Sequence, residues 1–418
     1  MIEQKYLKRN FFLNTLDGVS FYLGMIFLSM ESVLPVFLSE LGASPFWISM
    51  IPAIRNIGVF FPSIFVARRI QGLVRKKSWL IKAGSLQRLP FLFSGLFCFY
   101  FAAGHPQAAI FSILLAIFLI NLGAGFAIPA FSYFTAKTIP VNMRGKLFAM
   151  RNLFSYLIGF FCGAFISWII TNIAFPQNYS VLMLIGFAIL LVYLPAIGLQ
   201  KEPDAKTVFK SDKTKRDFIK QLGQLLKNND DLKNYILGRI FFTLAFASNN
   251  YFAVFLVKKY DLHGSTVGLF TIITAGTFLI ANPVLGILAD RKGHLYNHYL
   301  GAFVLILSSL IVVFSPSYLI SLSVISLGAL ALCVQNVSFF SLPMEFGEDH
   351  EIPIYVGLVG LFVGSASLLI IAFAFIAERF GYIPIFVICS VCAVLSLFFY
   401  TRTTEPRRRV KPKVQDVQ

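Results

Sequence analysis

The sequence predicts an all-α membrane protein with twelve transmembrane helices in two pseudo-symmetric six-helix halves. Three observations predict it. The chain is 57% hydrophobic and only 13% charged, with a mean hydropathy of +0.76, whereas soluble domains run near a quarter charged. Its apolar residues collect into runs of about 20 or more, the length a helix needs to cross a bilayer. Barrel strands are shorter, about 10 residues, and alternate. Finally, short stretches recur in the same order far along the chain: Pro62 and Gly72 return as Pro283 and Gly293.

The runs lie at approximately 11–38, 46–67, 78–103, 107–136, 147–172 and 179–199, then at 233–257, 265–289, 295–315, 317–344, 353–377 and 381–401. In lipid each must satisfy its own backbone, which a helix does alone. The first run is too long for a signal-peptide core and reads as an uncleaved anchor. Residues 1–200 form an N-terminal half, 201–232 a polar cytoplasmic linker, 233–402 a C-terminal half and 403–418 a basic cytoplasmic tail. In the linker, Phe218, Leu222, Leu225 and Leu226 recur at helical spacing. That suits an amphipathic helix on the membrane or, equally, a solvated one.

A net charge of +17 raises the question of nucleic acid, but its distribution excludes that partner. Lys and Arg crowd into alternate connections: Arg68, Arg69, Arg75, Lys76 and Lys77; Arg144 and Lys146; Lys201 to Lys233; Arg291 and Lys292; Arg407 to Arg409. This is the positive-inside pattern of a multi-pass protein of the cytoplasmic membrane with both termini cytoplasmic. The five cysteines, Cys98, Cys162, Cys333, Cys389 and Cys392, all fall in apolar runs with no disulfide or metal spacing. No cofactor or metal is expected. No zinc-protease, phosphate-cradling or nucleophile motif points to an enzyme.

The halves overlay further. Val36-Phe37-Leu38 matches Val254-Phe255-Leu256, and Ser132-Tyr133-Phe134-Thr135 resembles Ser338-Phe339-Phe340-Ser341. Between the eighth and ninth runs stands Gly286-Ile-Leu-Ala-Asp290-Arg291-Lys-Gly293-His294. Its flanking glycines suit a tight turn at the membrane surface. With the six-and-six split, the basic linker and Arg144-Gly145 after span 4, this stretch resembles the signature of the major facilitator superfamily. The resemblance covers residues 10–402 and implies a secondary transporter working by alternating access, with solute near midplane between the halves. The family's clearest Asp-Arg signature falls between spans 2 and 3. Here that loop reads Ala67-Arg68-Arg69-Ile70-Gln71-Gly72, with Arg69 in the place of Asp290. The Gly-Pro pattern of the drug-antiporter branch is missing around Gly159 and Gly163 of span 5.

Charges inside a span are costly unless paired or hydrated, so each is a functional candidate. Glu31 of span 1 and Arg55 of span 2 share a depth in adjacent antiparallel spans and can pair. In the overlay Glu31 and Ser32 fall on Asn249 and Asn250. Glu31 is the candidate proton carrier, with a fixed Glu31–Arg55 pair as the alternative. Arg88 of span 3 and the Gln335-Asn336 pair of span 10 suit an anionic or polyhydroxyl solute; a snorkelling Arg88 is the bland reading. Asp17, Arg151 and Arg239 lie near the ends of their runs, which predicts interfacial pairing.

The loop after span 10 is acidic, with Glu345, Glu348, Asp349 and Glu351 on a side otherwise basic. The resemblance implies a cytoplasmic gate: Arg68 and Arg69 against this loop, and Asp290 against Arg144, Arg151 or the start of span 5. A metal between Glu345 and His350 is the minor alternative to a solvated loop. Gly24, Gly159/Gly163 and Gly360/Gly364 favour close helix approach. The expected function is transport of a small polar solute, driven by a proton gradient, by a monomer in the bilayer. The alternatives are a drug or metabolite efflux antiporter and a non-transporting sensor or scaffold.

Overall fold

The computed structural model describes residues 4–71, 73–203, 223, 226, 229–339, 341–346 and 352–406. Phe218, Leu222 and Leu225 of the linker helix expected around 214–226, Gly72, Glu348, Asp349, His350, Glu351 and Arg407 to Arg409 lie outside them, and the side chains of Arg68 and Arg69 are not described. Helices α1 (Gln4–Ile26), α2 (Val33–Glu40), α3 (Pro45–Gln71), α4 (Lys77–Phe101), α5 (Pro106–Thr138), α6 (Val141–Asn172), α7 (Gln177–Leu190) and α8 (Tyr193–Gly198) come first. Then follow α9 (Asp230–Phe246), α10 (Asn249–Lys259), α11 (Thr266–Lys292), α12 (His294–Phe314), α13 (Tyr318–Ser338), α14 (Ser341–Met344), α15 (Ile352–Ala366), α16 (Ile370–Phe380) and α17 (Ile383–Thr401).

Among the described residues, 9 helical stretches are long and apolar enough to cross a membrane, the first being Pro106–Thr138 and the last Ile383–Thr401. The three earlier predicted runs are helical too, with Asp17 in α1, Arg55 in α3, and Lys82 and Arg88 in α4. Several runs are not continuous. Residues 27–32 interrupt the first, Ala247 and Ser248 the seventh, and Leu191 and Val192 the sixth. Polar side chains at these breaks take up backbone groups that the helix would otherwise bond: Ser29 Oγ accepts from the amides of Glu31 (3.3 Å) and Ser32 (3.2 Å).

Contacts divide the chain into two compact units. The first holds residues 1–211, 250–279 and 370–381. A core of Val66, Ile70, Leu80, Ala83, Phe134, Tyr193 and Ile197 ties α3, α4, α5 and α8 together near the end where α1 begins. At its other end, Glu378 Oε2 accepts from the Phe46 amide at 2.9 Å, and the Phe46 and Phe375 rings lie 5.1 Å apart, joining α16 to the start of α3. There α6 and α11 meet where Gly163 and Gly268 present backbone to each other; a side chain on either would collide with the facing helix. The second unit holds residues 212–249, 280–369 and 382–418, in which α17 packs on α9 and α12, and α12 on α13.

Candidate functional site

Glu31 sits in the interruption between α1 and α2, where no helix ladder fixes it. Arg55 Nη1 on α3 donates to its Oε1 at 2.5 Å, so the pair expected from matching depth forms. Both side chains keep partial exposure, 25% for Glu31 and 35% for Arg55. Ser29 Oγ donates to the second oxygen at 3.5 Å.

A second cluster is more enclosed by protein than its sequence position suggests. Asp17 on α1 is 5% exposed and faces two guanidiniums: Arg88 Nη2 of α4 at 3.9 Å and Arg151 Nη2 of α6 at 4.0 Å. Arg151 Nη1 donates to Asn14 Oδ1 at 2.6 Å, while Arg88 donates to the Leu190 and Gly84 carbonyls and stacks on Tyr193, 3.8 Å from its centroid. Gly18 leaves the space that the Arg151 guanidinium fills. Asp17 and Arg239 are enclosed by protein, Arg239 at 0% exposure, while Arg151 is half-buried; the pairing expected of Asp17 and Arg151 forms. The helices overrun the apolar runs used to judge depth. α1 starts at Gln4 and α9 at Asp230, so neighbouring turns cover Asp17 and Arg239. Arg88 is engaged within its own unit.

In the seventh run, Asn249 and Asn250 begin α10 directly after the break, both buried. Gln335 and Asn336 lie in the last turn of α13, Asn336 exposed. Of the gate residues, Asp290 and Arg291 are exposed in the last turn of α11, and Gly286 has open space beside it. Gly293 takes φ 98°, the turn expected of it. Arg144 donates to the Ile139 and Ala136 carbonyls at 3.1 and 2.8 Å, closing the end of α5. Glu345 Oε1 lies 3.8 Å from His294 Nε2.

The sequence reading missed one repeated device. Lys201-Glu202-Pro203 follows α8, and Thr404-Glu405-Pro406 follows α17. Glu202 accepts from the amides of Lys76 (2.8 Å) and Lys77 (2.9 Å) at the start of α4, and Asn10 of α1 binds the Lys201 backbone at 2.9 Å. Glu405 accepts from the Leu295 amide (2.9 Å) at the start of α12, and Asp231 of α9 accepts from the Thr404 amide at 3.0 Å. Each carboxylate caps a helix N-terminus, where orphan N–H groups and the dipole favour it. The two Glu-Pro pairs were the available signal. Glu202→Ala and Glu405→Ala are each expected to cost about 1–2 kcal/mol, as N-cap loss does; thermal unfolding in detergent checks this.

At the opposite end of the first unit, beyond the predicted span 11–38, a pocket of about 600 Å³ is lined by Glu40, Asn178, Asp261, His263 and Gly264 among others. Tyr179 donates to Glu40 Oε1 at 3.2 Å, and Gly264 packs against the same oxygen. Enclosure of that edge raises the Glu40 carboxyl above its ordinary range, with the Tyr179 bond and His263 pulling it back. A carboxyl raised in the fold holds its proton more tightly there than in the unfolded chain. Stability from this group therefore grows as pH falls from above the raised value toward the ordinary one. Glu40→Gln is expected to flatten that slope; identical unfolding profiles against pH for the two proteins would refute it.

Solved structures share this architecture. The fold is similar to that of the nucleoside transporter NupG (TM-score 0.71, 11% identity, covering 94% of this chain and 99% of that one). It is also similar to a D-xylose-proton symporter (TM-score 0.69, 14% identity, 96% and 99% covered). A bacterial homologue of the iron transporter ferroportin, in its inward-facing state, matches as well (TM-score 0.67, 16% identity, 95% and 98% covered). No curated protein matches the sequence. The sequence model described as Major Facilitator Superfamily matches residues 88–371 and 235–417. The chain is a multi-pass membrane protein that belongs to the major facilitator superfamily of transporters.

Proposed function

We propose that this chain is a secondary active transporter that moves a small polar solute by alternating access between two six-helix halves, driven by protons. The observation that carries the reading is Glu31. It is a carboxylate in a broken predicted span, with Arg55 Nη1 at 2.5 Å and its side chain 25% exposed. Broken helices at midplane are where transporters of this type hold ions and substrate. A carboxylate that can gain or lose an arginine partner can change its affinity for a proton as the protein moves. The second half offers Asn249 and Asn250 after its own break, and Gln335 and Asn336 supply further polar groups for the solute.

The twelve-span, two-half arrangement is supported by the repeated caps at Glu202 and Glu405. Both termini lie in the cytoplasm of an inner-membrane monomer in this reading. The cytoplasmic gate expected from the resemblance, at Gly286, Asp290, Arg291, Gly293 and Arg144 and at Arg68, Arg69, Glu348 and Asp349, stays part of this reading. Counterflow in proteoliposomes tests transport itself: a labelled metabolite extract outside should exchange with the same unlabelled extract inside. Equal label in empty vesicles would point instead to a sensor or scaffold.

A further inference from the structure

The chain leaves α10 by a turn that folds back onto the first part of the sequence. Asp261 takes φ 48°, a left-handed conformation that aspartate tolerates, and the Leu262 amide donates to the Val257 carbonyl at 2.9 Å. His263 Nδ1 then accepts from the Ser265 amide at 3.2 Å, just before α11 starts. These bonds shape the turn so that Gly264 lies against the end of α2. A Cβ on Gly264 would come 2.1 Å from Glu40 Oε1 and 2.8 Å from Tyr179 Oη. The turn seats there because Gly264 has no side chain.

The surface that receives it is held from several sides. The Tyr179 ring stacks on Phe37 of α2 at 4.6 Å, with 9° between the planes. Asn178 Oδ1 accepts from the Tyr179 amide at 2.8 Å, and its Nδ2 donates to the Ile170 carbonyl of α6 at 3.2 Å. Tyr179 Oη therefore reaches Glu40 Oε1, at 3.2 Å, from a fixed place. Residues 250–279 share a compact unit with residues 1–211, so the turn and its seat belong together.

Glu40 is an exposed residue, but this edge of its carboxylate is covered. Tyr179 faces it from α7 and His263 from the turn, while Asp261 lines the same pocket. To that pocket α6 brings Ile170 and Thr171, which carry no charge. Among the described residues no Lys or Arg pairs with Glu40. Seating the turn thus takes water from a carboxylate that gains only a hydroxyl donor and the influence of one imidazole. Loss of water favours the protonated form, and Tyr179 and His263 oppose it more weakly.

We propose that the 261–264 turn is a clasp whose closure on Glu40 and Tyr179 takes up a proton at Glu40. When the clasp lifts, the carboxylate meets water and releases that proton. Acid therefore tightens the clasp. The effect grows as pH falls from above the raised value of the closed form, and it is complete in the ordinary carboxylate range. In the proposed topology this end faces outward, so external acid holds it shut; that consequence alone rests on the transport reading.

Amide exchange on the full chain in detergent measures the clasp without any solute. The amides of Leu262, Thr266, Val267 and Gly268 are all bonded in the closed turn, and their exchange reports its lifting. After correction for intrinsic rates, their protection is expected to rise roughly threefold per pH unit on acidification, within the limit of about tenfold that one proton sets. Glu40→Gln should remove the slope and keep the segment protected, because a neutral amide stands in for the protonated carboxyl. Tyr179→Phe deletes the donor that favours the carboxylate and should move the midpoint to higher pH. Gly264→Ala should lower protection at every pH. Wild-type protection that ignores pH overturns the proposal, as does a slope that survives in Glu40→Gln. Should Glu40→Gln fail to fold, the Tyr179→Phe midpoint decides: unmoved, or moved to lower pH, it overturns the proposal.

Discussion

Asp17→Ala is expected to destabilise the protein by about 3–5 kcal/mol, the cost of breaking a buried charge cluster by removing one partner. Asp17 is the carboxylate that faces both Arg88 and Arg151, at 3.9 and 4.0 Å. Without it, two enclosed guanidiniums on α4 and α6 repel each other with no neutralising charge between them. Neither arginine can simply swing to water: Arg88 is held by Gly84 and Leu190 carbonyls, and Arg151 by Asn14. The unfolding midpoint in detergent should fall sharply. Adding Arg151→Met to Asp17→Ala should recover part of the loss, because one charge again leaves the cluster. A single variant as stable as the wild type would mean that the triad contributes nothing to holding α1, α4 and α6 together.

The helices were legible because lipid demands long apolar runs, and the family was legible in Gly286 to Gly293. The pairing of Glu31 with Arg55 followed from counting rise along two antiparallel spans. Depth counted the same way did not show how far protein encloses Asp17 and Arg239, because α1 and α9 begin before the apolar runs and neighbouring helices cover them. The breaks at 27–32 and 247–248 were hidden, since Ser29 and Ser248 look like ordinary small residues in a helix. Capping by Glu202 and Glu405 was written twice in the chain as Glu-Pro. It becomes meaningful only when the end of α8 is seen beside the start of α4.

Glu31→Gln is expected to abolish accumulation driven by a pH gradient while leaving exchange intact. Glutamine keeps the size of the side chain and a hydrogen-bond acceptor for Arg55, so the fold around the break is retained. It cannot carry a proton. A transporter whose coupling group is lost still lets solute equilibrate, but it no longer links solute movement to the gradient. A fixed structural pair predicts the reverse. Neutralising Glu31 would then leave Arg55 without its counter-charge, lower stability and depress both activities together. The two outcomes separate because exchange and accumulation are read from the same vesicles.

The most direct measurement compares wild type and Glu31→Gln in proteoliposomes. One half of each preparation carries an imposed pH gradient, and the other is arranged for counterflow of a labelled metabolite extract. The account predicts wild-type accumulation above equilibrium, none in the variant, and counterflow in both. Accumulation by Glu31→Gln at the wild-type level would contradict it.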